Sequence, residues 1–183
     1  SDSSVLCKRQ SNVVISLDKW RNLDLMQLTG AVVAQYESCG FKDKPQEILV
    51  DSIGLGAGVV DRLRELGLPA RGVNVSESPA MGQTYINLRA ELWGKTKAWL
   101  EKRDCKIPAN EDLIAELATV RYSFNSSGKM KIESKDDIRR RGLKSPDMAD
   151  ALVLTFASDA GVASYGYSTG WGKSLKRAIR GIV

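Results

Sequence analysis

Apolar and polar residues alternate from Ser3 to Gln10 and again from Asn12 to Trp20, with a polar corner at Gln10-Ser11-Asn12 between the two runs. This pattern predicts an antiparallel hairpin. The period then changes: Leu25, Leu28, Val32, Val33 and Tyr36 recur at three and four. A helix from Leu25 to about Cys39 follows, capped by Asn22 or Asp24 and ended by Gly40. Glu47-Ile48-Leu49-Val50-Asp51 is an apolar run that ends in a carboxylate and breaks into Ser52-Ile53-Gly54-Leu55-Gly56-Ala57-Gly58. Val59 to Gly67 has helical spacing and Ala70 to Val75 reads as a short strand, so the unit is a parallel βαβ crossover. Its Asp51 stands at the carboxyl end of a strand, where ligand sites of such sheets collect. An aspartate that merely caps the turn accounts for the same position.

The second half is more helical. Ser76-Glu77-Ser78-Pro79 closes the strand, and a loop runs on to Tyr85. From Asn87 to about Arg103, Leu88, Leu92, Trp93, Thr96, Trp99 and Leu100 form one face, with Arg89, Glu91, Lys95 and Lys97 expected outside and both tryptophans expected in the core. Asn110 caps a short helix through Leu117, and Val120–Phe124 with Lys129–Glu133 flank a turn at Asn125-Ser126-Ser127-Gly128, giving a second hairpin with a basic outer face. After the cationic run Lys135 to Lys144, Ser145 is placed to cap a last apolar helix reaching Ala157, with Pro146 at its first position.

Composition narrows the chemistry. The chain has 183 residues, a net charge of +5 and no histidine. That length suits one domain with a full core, the charge permits a polyanionic partner, and the missing imidazole removes histidine-based triads, histidine general bases and most zinc sites. Cys7, Cys39 and Cys105 are far apart and odd in number, as expected of reduced thiols in an intracellular protein. No signal peptide or membrane-length apolar run is present, so a soluble protein is expected.

Asp147 and Asp150 lie three apart, on one face of the last helix. The helix dipole explains one carboxylate in the first turns; two on so apolar a helix ask for more. A strand-end acid with helix-borne acids suits Mg²⁺ or Mn²⁺ bound by oxygen ligands. Two such ions, about 3.5 to 4 Å apart, can activate water and stabilise the leaving oxygen of a phosphodiester. Lys135, Arg139, Arg140, Arg141 and Lys144 would then hold a DNA backbone beside the acids, although a solvated charged face is the usual fate of such a run. Gly54-x-Gly56-x-Gly58 fits a dinucleotide loop poorly, because the spacing is wrong and the acid precedes the glycines.

Ile48 to Asp61, Tyr85 to Trp93, Lys131 to Lys135 and Lys144 to Leu152, in that order, resemble the nuclease domain of tailed-bacteriophage terminase large subunits. The resemblance covers nearly all of the chain up to Ala157. It implies an α/β, RNase H-like fold, with a mixed five-stranded sheet flanked by helices, that cuts concatemeric viral DNA during genome packaging with divalent metal. Asp51 matches the family's second acid and Asp147 its third, with Asp150 a neighbour able to share or replace that role. The implied partners are double-stranded DNA, an upstream ATPase domain of the same polypeptide, the portal protein and the small terminase subunit, in the cytoplasm of the bacterial host. The motor's G-x-x-x-x-G-K-[ST] does not occur in this sequence.

One departure concerns the family's first acid, carried by a first strand that lies centrally in the sheet. Ser1-Asp2-Ser3-Ser4 aligns with the turn after that strand, so the strand is expected to be missing and its acid is not carried onto Asp2. The domain is expected over 1–159, followed by a basic, flexible tail over 160–183 that either contacts DNA or portal or is simply an unstructured terminus. Two other classes stay open: a junction-resolving nuclease of the same fold, and a non-catalytic DNA-binding or packaging module.

Overall fold

The computed structural model describes residues 3–158. The expected tail over 160–183 lies outside them, as do Ser1 and Asp2.

Strands β1 (Ser3–Gln10) and β2 (Val13–Arg21) pair antiparallel from Ser3↔Arg21 to Gln10↔Val13. The corner between them turns through Ser11 at φ 50°. Helix α1 (Leu25–Glu37) starts at Asp24, whose carboxylate accepts the Gln27 N–H while the Gln27 side chain accepts the Asp24 N–H. This capping box selects Asp24 over Asn22. The helix stops at Glu37 rather than at Gly40, which has φ −60° and opens a short 3₁₀ turn.

Strand β3 (Ile48–Asp51) and β4 (Ala70–Val73) pair in parallel, joined by α2 (Gly56–Glu65). Helix α2 begins three residues before Val59 and takes in Gly56 and Gly58. A Cβ at Gly56 would lie 1.7 Å from the Asp51 carbonyl oxygen, and one at Gly58 would lie 2.4 Å from Leu25 Cδ1. These glycines let α2 pack closely on the strand end and on α1.

Helices α3 (Leu88–Glu101) and α4 (Glu111–Thr119) start at Asn87 and Asn110, whose side chains accept the Ala90 and Leu113 N–H groups. Strands β5 (Tyr122–Phe124) and β6 (Met130–Ile132) form the second hairpin. Helix α5 (Lys135–Arg140) is capped by Ser134, and α6 (Asp147–Leu154) runs into a 3₁₀ turn at Thr155–Ala157.

The described residues form two apolar cores. Val32 of α1, Val59 and Leu63 of α2, and Ile48 and Ala70 of the parallel pair form one. Ala90, Leu92, Trp93 and Trp99 of α3, Leu113 of α4, Ile132 of β6, and Met148, Ala149, Leu152 and Val153 of α6 form the other, with Val5, Cys7 and Val14 of the first hairpin packed in. Both tryptophans are core residues, as expected. Arg89 and Glu91 are not outside: the Arg89 side chain is 16% exposed and Glu91 1%. Glu91 is tolerated there because Lys95 Nζ lies 2.6 Å away and the Met81 N–H donates to it at 3.0 Å. Burial alone would raise its pKa, but Lys95 and the Met81 and Ala80 N–H groups outweigh that and hold it below the usual value.

The sheet is discontinuous. β1 pairs only with β2 and β3 only with β4, so residues 3–158 form a mixed α/β fold without a continuous five-stranded sheet. Helix α6 packs against both β1 and β3. Side chains reinforce the arrangement: Arg9 donates to the hydroxyl and carbonyl oxygens of Thr155, and Arg71 of β4 donates to the Ala157 carbonyl at 2.7 Å. Across the other face, Lys8 of β1 donates to Gln35 of α1 at 2.5 Å. The three cysteines form no disulfide.

Candidate metal and DNA site

Asp51 is the last residue of β3 and is exposed. Ile48 and Val50 face the core beneath α1 and α2, and side chains alternate along a strand, so Asp51 projects to the opposite side, the one occupied by α6. Its Oδ1 accepts the Ile53 N–H at 3.1 Å, forming the turn into Gly54 at φ +66°. Both sequence-based readings of Asp51 are thus compatible with its position, since capping the turn commits only one oxygen.

Asp147 is the first residue of α6. Ser145 does not cap this helix: its cap position is Pro146 and no local side chain accepts from the first turn. The first four N–H groups are nevertheless all satisfied. Asp147 donates to the Ser145 carbonyl at 2.9 Å and Asp150 to the Pro146 carbonyl at 2.8 Å. Ala149 donates to Oε2 of Glu116 on α4 at 2.8 Å, and Met148 also donates to the Glu116 carboxylate. A glutamate 33 residues before Ala149 therefore replaces the local cap. Burial pushes the Glu116 pKa up against the lowering effect of the two N–H groups and of Lys19, and the nearby Asp147 carboxylate raises it further. Because Glu116 serves the helix end, Asp147 has no capping duty. Its carboxylate makes no hydrogen bond or ion pair among the described residues.

Asp150 is placed differently, one turn further along. Its Oδ1 accepts from Arg89 Nη2 and from the Trp93 indole N–H, each at 3.3 Å, and Lys135 Nζ lies 3.2 Å from Oδ2. Arg89 also donates to the Glu133 carbonyl at 2.8 Å. Asp150 thus ties α3, α5 and the end of β6 to α6, while Asp147 remains available.

The cationic run divides in a similar way. Arg141 makes two contacts with the Glu133 carboxylate, at 2.9 and 2.7 Å, and a third with the Thr119 carbonyl at 3.1 Å. Lys135 is occupied by Asp150. Arg139 and Arg140 are exposed and pair with Asp136 and Asp137 on their own helix, and Lys144 is exposed. Sequence reasoning missed Glu116 and Arg89. Neither carries a local signal, since each acts on a residue far away in the chain.

The donor set is all oxygen, as a hard divalent cation prefers. Among the described residues Asp51 offers one uncommitted oxygen and Asp147 two, while Asp150 Oδ2 is buried, accepts no hydrogen bond and lies 3.2 Å from Lys135. No group of three ligating side chains converges among the described residues.

No protein-family model matches the sequence, and no curated protein does. Solved structures do match. The nuclease domain of the large terminase subunit gp2 of bacterial virus Sf6, in a mutant form with manganese, aligns with a TM-score of 0.68 at 22% identity, over 83% of this chain and 85% of that one. The large terminase nuclease of thermophilic phage G20c with bound magnesium aligns at 0.60 and 15% identity, over 85% and 80%. A cobalt-bound form of the same G20c nuclease aligns equally well. The resemblance read from the sequence thus extends to three dimensions across most of the chain, and the protein has the fold of the nuclease domains of phage large terminase subunits.

Proposed function

We propose that this chain is the divalent-metal-dependent DNA endonuclease domain of a phage or prophage terminase large subunit, cutting concatemeric DNA during packaging. One observation carries the reading: in a fold shared with metal-bound phage nucleases, the strand-end Asp51 and the helix-start Asp147 keep uncommitted carboxylate oxygens on the α6 side of β3. Asp51 and Asp147 would hold the cation, Mg²⁺ or Mn²⁺. Bound there, it would supply Lewis-acid stabilisation of the charge that builds on the phosphodiester. Asp150 belongs to the same helix face and supports the site by holding Arg89 and Lys135 in place. Arg139, Arg140 and Lys144 bind the DNA backbone as exposed cations, independent of sequence. Double-stranded DNA, the upstream ATPase domain, the portal and the small subunit are the partners this reading assigns, and the host cytoplasm its location.

The finer fold reading is an RNase H-like sheet completed by one more strand, between the unpaired edges of β1 and β3. That strand would bring the family's first acid. The specific observation favouring a second reading, a non-catalytic DNA-binding module, is the lack of a converging ligand triad among the described residues.

Plasmid cleavage with Mn²⁺ and Mg²⁺ separates the two. The protein and a version extended upstream by one strand are compared, each with Asp51→Asn and Asp147→Asn. Metal-dependent cutting abolished by either substitution supports the nuclease. Intact DNA binding with no cutting by any version overturns it.

A further inference from the structure

The N-terminal turn of α6 is unusual in drawing its cap from a separate helix. Pro146 has no side chain able to accept a hydrogen bond, and Ser145 uses its carbonyl, not its hydroxyl, toward Asp147. The Met148 and Ala149 N–H groups, which directly follow Asp147, are both received by the carboxylate of Glu116. Helix α4 in turn is anchored by Leu113, fully buried in the core that Met148, Ala149 and Leu152 share. A rigid element therefore grips the backbone one and two residues beyond the carboxylate assigned to metal.

We infer that Glu116 is a positioning residue for Asp147: from α4 it fixes the first turn of α6, and so the direction in which the Asp147 carboxylate is presented. This rests on the reading of Asp147 as a metal ligand. Glu116 itself is not assigned to the metal, because its carboxylate already receives the Ala149 and Met148 N–H groups and no ligand triad forms around it among the described residues. Without the carboxylate, two N–H groups lose their acceptor and the turn frays, leaving Asp147 on a mobile end. Supporting groups of this kind typically change metal affinity by roughly ten- to a hundredfold when removed.

Two measurements on the purified protein test the inference. Hydrogen exchange of the metal-free protein reads the turn directly: in Glu116→Ala the Met148 and Ala149 amides should exchange at least about tenfold faster, while core amides of α3 keep their protection. Glu116→Gln retains one acceptor oxygen at the same reach and should protect at least one of the two amides. Mn²⁺ binding, followed by loss of the free-ion electron paramagnetic resonance signal, should weaken about tenfold or more in Glu116→Ala and recover substantially in Glu116→Gln. Asp147→Asn provides the reference for loss of the ligand itself. Unchanged amide exchange or unchanged Mn²⁺ affinity in Glu116→Ala overturns the positioning role, as does a Glu116→Gln variant that binds Mn²⁺ as poorly as Glu116→Ala. If the unsubstituted protein and Asp147→Asn take up Mn²⁺ equally or not at all, it is the metal reading that fails, and the inference falls with it.

Discussion

Replacing Asp150 with asparagine removes the negative charge on which Arg89, Trp93 and Lys135 converge. The amide oxygen still accepts from one or two of these donors, so the loss is mainly electrostatic. A hydrogen bond to a charged group contributes about 1.5–3 kcal/mol at good geometry. The Arg89 contact is only 16% exposed on the arginine side but long at 3.3 Å, which places it at or just below the bottom of that range, about 1–1.5 kcal/mol. Lys135 is 44% exposed, so solvent screens its share to a few tenths of a kcal/mol. Asp150→Asn should therefore cost roughly 1.5 kcal/mol of folding stability, about tenfold in the equilibrium constant. With a urea m-value of about 1.5–3 kcal/mol/M, the midpoint falls by about 0.5–1 M. Asp147→Asn is the contrast: its carboxylate has no partner to lose among the described residues, the favourable helix dipole is worth about 0.3–1 kcal/mol, and relief from Glu116 offsets part of that, leaving a change within about 0.5 kcal/mol. Urea unfolding of both variants, metal-free, decides the matter. If Asp147→Asn is the destabilised variant and Asp150→Asn unfolds like the parent, the division between an anchoring and an available carboxylate is wrong.

Three further outcomes are expected. Because the Glu91 pKa is lowered in the native state, its ion pair stabilises fully above the ordinary value of 4.5 and the contribution is lost as pH falls through the depressed value; Glu91→Gln should flatten the fall in stability measured from about pH 5 to pH 3. Gly56→Ala puts a Cβ into the Asp51 carbonyl, so it should cost at least about 2 kcal/mol in thermal or urea unfolding and weaken Mn²⁺ binding by displacing the strand end. Substituting alanine for Arg139, Arg140 and Lys144 together should flatten the plot of log DNA affinity against log salt by up to roughly 0.9 per cation lost; Arg141→Ala should barely change that slope and instead lower folding stability, since its guanidinium is held by Glu133 and Thr119.

The sequence was most informative where cause and effect are neighbours in the chain. Asp24, Asn87 and Asn110 each cap a helix by reaching a backbone N–H three residues on, so their helix starts were legible. The order of strands and helices followed from periods of two and three to four. Asp51 was legible as a strand-end acid because an apolar run stops there. What depended on distant partners was not. The position of Ser145 and Pro146 matched a local cap, but Glu116 arrives from another helix. Helical spacing put Arg89 and Glu91 outside, yet Asp150 draws one inward and Lys95 with the Met81 loop accommodates the other. The spacing of Asp147 and Asp150 treats the two alike; that Arg89, Trp93 and Lys135 engage Asp150 depends on the same non-local packing. Gly56 and Gly58 discourage a helix by propensity, and only close packing on Asp51 and Leu25 explains their place in α2.

The break in the sheet divides the candidate site between two separately packed halves. Asp51 belongs to the half whose apolar side chains cluster under α1 and α2, and Asp147 to the half built on α3, α4 and α6. No strand ladder joins β1 to β3, so the two carboxylates are registered by helix packing and by single side-chain tethers such as Lys8 to Gln35 and Arg71 to the Ala157 carbonyl. Cooperative opening can then occur in two blocks with different free energies, each carrying one acid. A cation bound by both carboxylates would act as a cross-link between the blocks, merging their opening into one event and slowing amide exchange in the less stable half far from the ion itself.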